Sequence, residues 1–289
     1  YDERIWETGY PAVVSGESLG MLLFANFINQ DDAVKLIFQY MFQDELNPSR
    51  MEKRNILDPC LKEAGLSIQA GALKLGGAQW NVYLATVDFG AILSCQEAKL
   101  LQLINRAREN PLQMAVSLGL DPEQIFANFP EAQDILTQSL PPLAFNASLT
   151  AAARAHAADM LANGYYSHDS LDSRTVEERT IEAGYNPLNV EESLWLSCLG
   201  NDDSLPDGAQ GMILIQQIFA SIFTRELRTF ATGEKQILNA SLNEVGMGIA
   251  SGISPTLGGI CGDRVLLLVI DFGLSRETQQ IPLQPASRE

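Results

Sequence analysis

Histidine is nearly missing from this chain. Only His156 and His168 occur in 289 residues, both within "HAADMLANGYYSH". No His lies four residues from His156, which excludes a histidine pair gripping a metal from one helix face. Basic residues are also scarce: 19 Lys and Arg stand against 36 Asp and Glu, for a formal charge of −17. Nucleic acid is excluded as a partner, because phosphate binding needs clustered Lys and Arg. Charge-driven docking on anionic lipid is excluded on the same ground, and the acidity reads as solubility. No apolar run approaches the ~20 residues of a spanning helix; "MLLF" and "VLLLVI" read as core. The four cysteines, Cys60, Cys95, Cys198 and Cys261, show no CxxC spacing, so zinc-ribbon and thioredoxin readings fall. No GxSxG nucleophile elbow is present.

What is there is ample for a core: 46% apolar and 19% charged residues. The start at Tyr1, without Met or a signal peptide, reads as a processed or trimmed product. Four cysteines can form two disulfides in an oxidising compartment. The "NAS" sequons at Asn146 and Asn239 carry meaning only in a eukaryotic secretory context.

The sequence also repeats itself. "VEERTIEAGYNPLNVEESL" (176–194) aligns with "YDERIWETGYPAVVSGESL" (1–19), and "IFASIFTREL" (218–227) with "IFQYMFQDEL" (37–46). "ILNASLNEVGMGIASG" (237–252) aligns with "ILDPCLKEAGLSIQAG" (56–71), and "VLLLVIDFG" (265–273) with "VYLATVDFG" (82–90). Residues 95–175 have no upstream counterpart. The expectation is the back half of one domain over 1–94, a complete copy over 95–275 and a tail over 276–289. A half-domain leaves apolar faces open, so upstream residues or another chain are expected to cover it, and an oligomer can form through it.

In the complete copy, "CQEAKLLQLINRARENP" reads as an amphipathic helix closed by Pro111. "FNASLTAAARAHAADMLANG" reads as a second, with Asn146 or Ser148 capping its start and Gly164 its stop. A third ends at Gly184 and a fourth covers about 209–228. "ESLWLS", "EVGMGIASG" and "RVLLLVIDFG" read as strands, the last two joined as a hairpin through "PTLGGICGD". The class is α+β, helices stacked on a mostly antiparallel sheet.

Leu149, Ala153, His156 and Met160 share a helical stripe, so His156 reads as core. His168 lies beyond the helix in a loop, where it is a solvated residue or a site residue. Ile215, Phe219, Ile222 and Glu226 form another stripe ending in a carboxylate, and Val34, Phe38, Met41 and Glu45 repeat it. A buried carboxylate needs a partner. Glu192, like Glu17 in the first copy, leads a strand.

"LLQLINRARENPLQMAVSLGLD", "PPLAFNASLTAAARAHAADMLANGYYSH", "AGYN", "EESL" and "EVGMGI", in that order, resemble the bacterial branch of the CAP superfamily. This is the group of cysteine-rich secretory, antigen 5 and pathogenesis-related-one proteins, with its SCP-like domain. The resemblance implies a three-layer α-β-α sandwich, secretion or the cell surface, and a shallow cleft of two His and two Glu that holds a divalent ion in some members. Carried onto this sequence, the first His is His168 and the two Glu are Glu192 and Glu226, with Ser193 where Asn is usual. The second His is missing: the stretch reads "TGEKQIL", with Glu234 at or beside its place. The first-copy equivalents are Glu17, Glu45 and Glu52. One His with three carboxylates is an oxygen-rich set nearer Ca²⁺, Mg²⁺ or Mn²⁺ than Zn²⁺. If the cleft holds no metal, the carboxylates share protons and at least one pKa rises. A Cys198–Cys261 disulfide is plausible, against two buried thiols. The acidic stretch 201–208 lacks calcium-loop spacing and reads as solvated.

The leading expectation is a non-catalytic extracellular binding module for a lipid, glycan or protein ligand, its tandem build suiting avidity. The alternative is a metal-dependent hydrolase using His168 and the cleft carboxylates.

Overall fold

The structure is a computed structural model, and it describes residues 2–50, 54–199, 208–229, 235–258 and 264–277. The chain divides into two compact units, Tyr1–Ala98 and Lys99–Glu289.

The first unit contains α1 (Asp2–Glu7), β1 (Val14–Phe24), α2 (Gln30–Glu45), β2 (Glu63–Leu75) and β3 (Ala78–Ala91). Its three strands form an antiparallel sheet in the order β1-β3-β2. The β2–β3 hairpin turns on Gly76 and Gly77, both at positive φ, as a two-residue turn between twisted strands requires. Asn29 caps α2 by accepting from the Asp32 N–H. α2 buries Ala33, Ile37 and Glu45, while Val34 and Phe38 are exposed. The apolar stripe expected through Val34 and Phe38 therefore does not face the core of this unit. Ile37 and Met41 do, lying over Gly20 of β1. A disulfide joins Cys60 to Cys95.

The second unit holds α3 (Cys95–Glu109) from Lys99 on, then three short helices that the sequence pattern does not resolve: α4 (Pro111–Ser117), α5 (Pro122–Asn128) and α6 (Ala132–Leu136). Pro111 opens α4 at its first turn, where a missing N–H costs nothing. The rest is β4 (Ala144–Phe145), α7 (Ala147–Asn163), α8 (Val176–Glu182), β5 (Pro187–Cys198), α9 (Gly208–Arg228), β6 (Glu244–Ile253), α10 (Pro255–Gly258) and β7 (Arg264–Ser275). The sheet runs β4-β6-β7-β5, antiparallel except for the short β4–β6 pair.

Both ends of α7 are written in sequence. The Asn146 side chain accepts from the Ser148 and Leu149 N–H groups, and Gly164 closes the helix at φ 68°. Its buried stripe, Leu149, Ala153, His156 and Met160, is 0–1% exposed. One face of the sheet packs Leu194, Leu267 and Val269 on Ala153, Ala157 and Met160 of α7. The other packs Val245, Met247, Leu266, Leu268, Ile270 and Phe272 against α3 and α9, through residues such as Ile104 and Phe219. Helices thus cover both faces, and the fold is an α+β three-layer sandwich with a mostly antiparallel sheet. The approach of α7 is set by glycine: a Cβ on Gly246 would lie 2.2 Å from the Thr150 N, and one on Gly248 2.3 Å from the Arg154 N.

Among the described residues no helix is long and apolar enough to cross a membrane. Cys198 is disulfide-bonded; Cys261, its expected partner, lies outside the described residues, as do 201–207 of the acidic stretch and 278–289 of the tail.

Candidate functional site

Glu192 is the centre of the site. It stands on β5, directly across from Asp271 of β7, and its side chain is 1% exposed. A carboxylate there needs compensation, and three elements supply it. From the loop after α7, His168 Nδ1 lies 2.8 Å from Glu192 Oε1. From α8, Arg179 Nη2 donates to Glu192 Oε2 at 2.6 Å. From α7, His156 Nε2 lies 3.9 Å from the same oxygen. α8 aims Arg179 through its capping box, in which the Thr175 hydroxyl and the Glu178 carboxylate satisfy each other's backbone N–H. Arg179 Nη1 also donates to the His168 carbonyl, at 2.8 Å, and so fixes the loop that carries His168.

The two histidines have different roles. His156 is core, as its stripe predicts. Its Nε2 sits 2.9 Å from the Ser167 carbonyl and therefore carries the proton. Burial lowers its pKa, keeping the ring neutral. His168 is two-thirds exposed. The hydrogen bond to Glu192 raises its pKa. With Nδ1 on Glu192, Nε2 is left to the cleft.

Glu226 is also buried, but it does not face His168 as a free ligand. Its two oxygens accept from the Ile237 N–H at 3.0 Å and the Leu238 N–H at 2.7 Å. Burial pushes its carboxyl up to about 7, opposed by the hydrogen bonds from the backbone. The same loop is held by its carbonyls: Arg108, 1% exposed, donates to those of Ile237, Asn239 and Leu242. Glu226 and Arg108 together fasten the chain between α9 and β6. In the first unit Glu45 plays the part of Glu226, accepting from the N–H groups of Asn55, Ile56 and Leu57, and Glu17 is ion-paired with Arg4. Glu234 and Glu52 lie outside the described residues.

Two residues of the network carry no expectation from the sequence. Arg179 is one. Asp271 is the other, and burial together with the Glu192 carboxylate pushes its carboxyl well above the usual range. The sequence places a shared proton and a raised carboxyl pKa among Glu192, Glu226 and Glu234; Asp271 is the group beside Glu192. Its signal is visible as a lone Asp inside "VLLLVIDFG", repeated in "VYLATVDFG".

Above this network is a cleft of about 350 Å³ whose wall includes Tyr166, His168, Glu192, Ser193, Arg225 and Glu226. Arg225 lies over the Trp195 ring, 5.8 Å from its centroid, and reaches Ser193 Oγ at 3.3 Å. The described members of the expected donor set are already engaged, and Glu234 lies outside the described residues. Glu192 is taken by Arg179 and His168, and Glu226 by backbone N–H groups. Among the described residues no three His, Cys, Asp or Glu side chains are grouped to hold an ion.

The profile of the CAP family, the cysteine-rich secretory protein family, matches residues 101–254. No curated protein matches the chain. Among solved structures it is similar to an outer surface protein from Borrelia burgdorferi, at 13% identity and a TM-score of 0.32, over 53% of this chain and 91% of that one. It is also similar to an extracellular protein containing an SCP domain from Bacillus anthracis, at 16% identity and a TM-score of 0.30, over 78% of this chain and 70% of that one. With a family match spanning more than half its length and the sandwich that the family's motifs imply, the chain belongs to the CAP family.

Proposed function

We propose that this protein is an extracellular, non-catalytic binding module whose cleft holds its ligand by shape and polar contacts rather than through a metal. The observation that carries this reading is the fate of the two cleft carboxylates. Glu192 neutralises Arg179 and orients His168, while Glu226 is spent on the Ile237 and Leu238 N–H groups. What faces the cleft is then one cation, Arg225, with Tyr166 and with a histidine, His168, that Glu192 biases toward its protonated form. On a protein of charge −17, this rim favours a ligand, whether lipid, glycan or protein, that presents an anionic group there. The Cys60–Cys95 disulfide and the secretory character of the family support an oxidising, extracellular setting.

The first unit reads as the back half of a second copy. Glu17 stands across from Asp88, Gly65 lies on the far side of Asp88, and Arg4 pairs with Glu17. Glu192, Asp271, Gly246 and Arg179 occupy the same four places in the second unit.

One observation favours the hydrolase alternative. A histidine oriented by a buried carboxylate is the arrangement of a general base. Calorimetric titration of Zn²⁺, Ca²⁺ and Mn²⁺ into metal-stripped protein, beside His168→Ala, separates the two. The binding-module reading predicts no saturable heat from either protein. Binding at about micromolar Kd or tighter, lost in His168→Ala, would overturn it.

A further inference from the structure

Arg225 is the cation that the fold leaves to the cleft. Other arginines are spent on the protein itself. Arg4 pairs with Glu17, Arg174 with Asp172 and Glu182, and Arg179 with Glu192. Arg108 donates to the carbonyls of Ile237, Asn239 and Leu242. Arg225 pairs with no carboxylate among the described residues. Its guanidinium lies over the Trp195 ring, and its Nη2 donates to Ser193 Oγ at 3.3 Å. Ser193 and Trp195 are two apart on β5 and share one face of the strand. The side chain is thus held at two points against one strand face, and the rest of its fork makes no hydrogen bond to a described residue.

The surroundings of Arg225 narrow what it can hold. Tyr166 stands on the same wall, and burial raises the pKa of its phenol, so the hydroxyl stays a donor. Leu194 and Ile222, 5% and 3% exposed, also line the cleft and bring only aliphatic side chains. A volume of about 350 Å³ is at the small end for a ligand pocket, enough for a compact group and too little for a long chain. Charge sets the next limit. Arg225 is the one permanent cation among the described residues of the wall. It matches a single negative charge. Each further charge meets the field of a protein at −17 with no permanent partner. The planar guanidinium fork fits the two coplanar oxygens of a carboxylate. A phosphodiester also carries one charge, but it puts ester oxygens between that charge and any apolar group, where Leu194 and Ile222 have no donor for them.

We infer that the cleft is a carboxylate site read by Arg225, for a ligand whose carboxylate is joined to a compact aliphatic group. Tyr166 supplies a second donor, and Leu194 and Ile222 take the aliphatic group. The inference rests on the reading of the cleft as a metal-free binding site. Two sources present this chemistry: a free short-chain acid, and the C-terminus of a polypeptide ending in an aliphatic residue.

The test uses the full chain at pH 7 and follows the ring C–H resonances of its two histidines by NMR. His168 stands on the cleft wall and His156 lies in the core, so a ligand in the cleft moves the first and leaves the second in place. The probes are isovalerate, a short peptide ending in leucine, and the same peptide with its C-terminus amidated. Isovalerate and the free peptide are expected to shift His168 with a Kd of about 1 mM or tighter, and the amidated peptide to bind about tenfold more weakly or worse. A free peptide about tenfold or more tighter than isovalerate assigns the site to polypeptide C-termini, and a smaller difference assigns it to small acids. Arg225→Gln is expected to weaken both carboxylates about tenfold or more while the melting temperature and the His156 resonances stay unchanged. Arg225→Lys, which keeps the charge and loses the fork, is expected to fall between. If Arg225→Gln melts early, the free and amidated peptides on the wild type decide alone. No shift of His168 with either carboxylate at about 10 mM, an amidated peptide that binds as well as the free one, or a stable Arg225→Gln protein that binds both carboxylates as well as the wild type overturns the inference. Inorganic phosphate separates it from the reading beneath it. Phosphate binding tighter than either carboxylate overturns the carboxylate assignment and leaves the metal-free cleft standing, whereas saturable metal binding that needs His168 overturns the cleft reading itself.

Discussion

Glu226 shows how far one side chain can be read before its surroundings are known. The 3.6-residue period places it at the end of the stripe Ile215, Phe219, Ile222, and all four are buried. The period says that the carboxyl needs a partner. It cannot say which, because the partners are two backbone N–H groups on a loop with no pattern of its own. A pH dependence follows. The folded-state pKa, about 7, is above the ordinary 4.5, so the fold binds this proton more tightly than the unfolded chain does. The stability held by the protonated form is fully present below about pH 4.5 and is lost as pH rises through about 7, for a total of about 3 kcal/mol. Urea unfolding at a series of pH values is expected to show this decline in the wild type. Glu226→Gln is expected to remove that share of it, and an unchanged pH profile in Glu226→Gln would contradict the assignment. Asp271 shifts in the same direction and for the same cause, so part of the decline persists in the variant. His168 and Glu192 are legible as a pair only through the family motifs. No period or spacing joins a loop histidine to the start of a strand, and the Arg179 that braces them sits on a short helix known by its capping box.

At the level of elements, α7 and the sheet beneath it are the most legible part of the molecule. Asn146, Gly164 and the stripe between them fix the helix, and "EVGMGIASG" alternates small residues on one face of its strand. The physical consequence is a contact with no slack. Gly248→Val places a side chain against α7 backbone already 2.3–2.4 Å from the Cβ position. A cost of about 4 kcal/mol or more is expected in chemical unfolding. Gly252→Ala, whose Cβ meets only the Leu161 side chain, Cδ2 nearest at 3.2 Å, is expected to cost about 1 kcal/mol or less, because a side-chain tip can move aside. Equal losses for the two would show that α7 does not pack on the sheet as described. The short helices α4, α5 and α6 are not legible in the same way. Each is five to seven residues long, too short to build up a periodic signal. The buried face of α2 departs from the expected stripe for a different reason. Its apolar residues lie on two faces: Ile37 is buried over Gly20 of β1, while Val34 and Phe38 are about half exposed.

Over the whole molecule, the fold class follows from the order of elements, because helices before and between strands of a closing hairpin leave few ways to bury both sheet faces. The repeat is legible in the sequence as an alignment, and on the proposed half-copy reading the Glu17–Asp88–Gly65 and Glu192–Asp271–Gly246 rows correspond. The Cys60–Cys95 pairing is not: four cysteines allow three connectivities, and sequence alone does not choose among them. The cleft carboxylates, on this account, hold the fold together rather than wait for an ion. Measuring the global unfolding free energy of Glu226→Ala beside His168→Ala at pH 7 tests that claim most directly. The expected result is a loss of about 3 kcal/mol for Glu226→Ala, which strands two buried N–H groups, and about 1 kcal/mol or less for the exposed His168→Ala. A Glu226→Ala protein as stable as the wild type, or more stable, would contradict the claim, because relief on removing a carboxylate is what a site kept strained for a ligand would show.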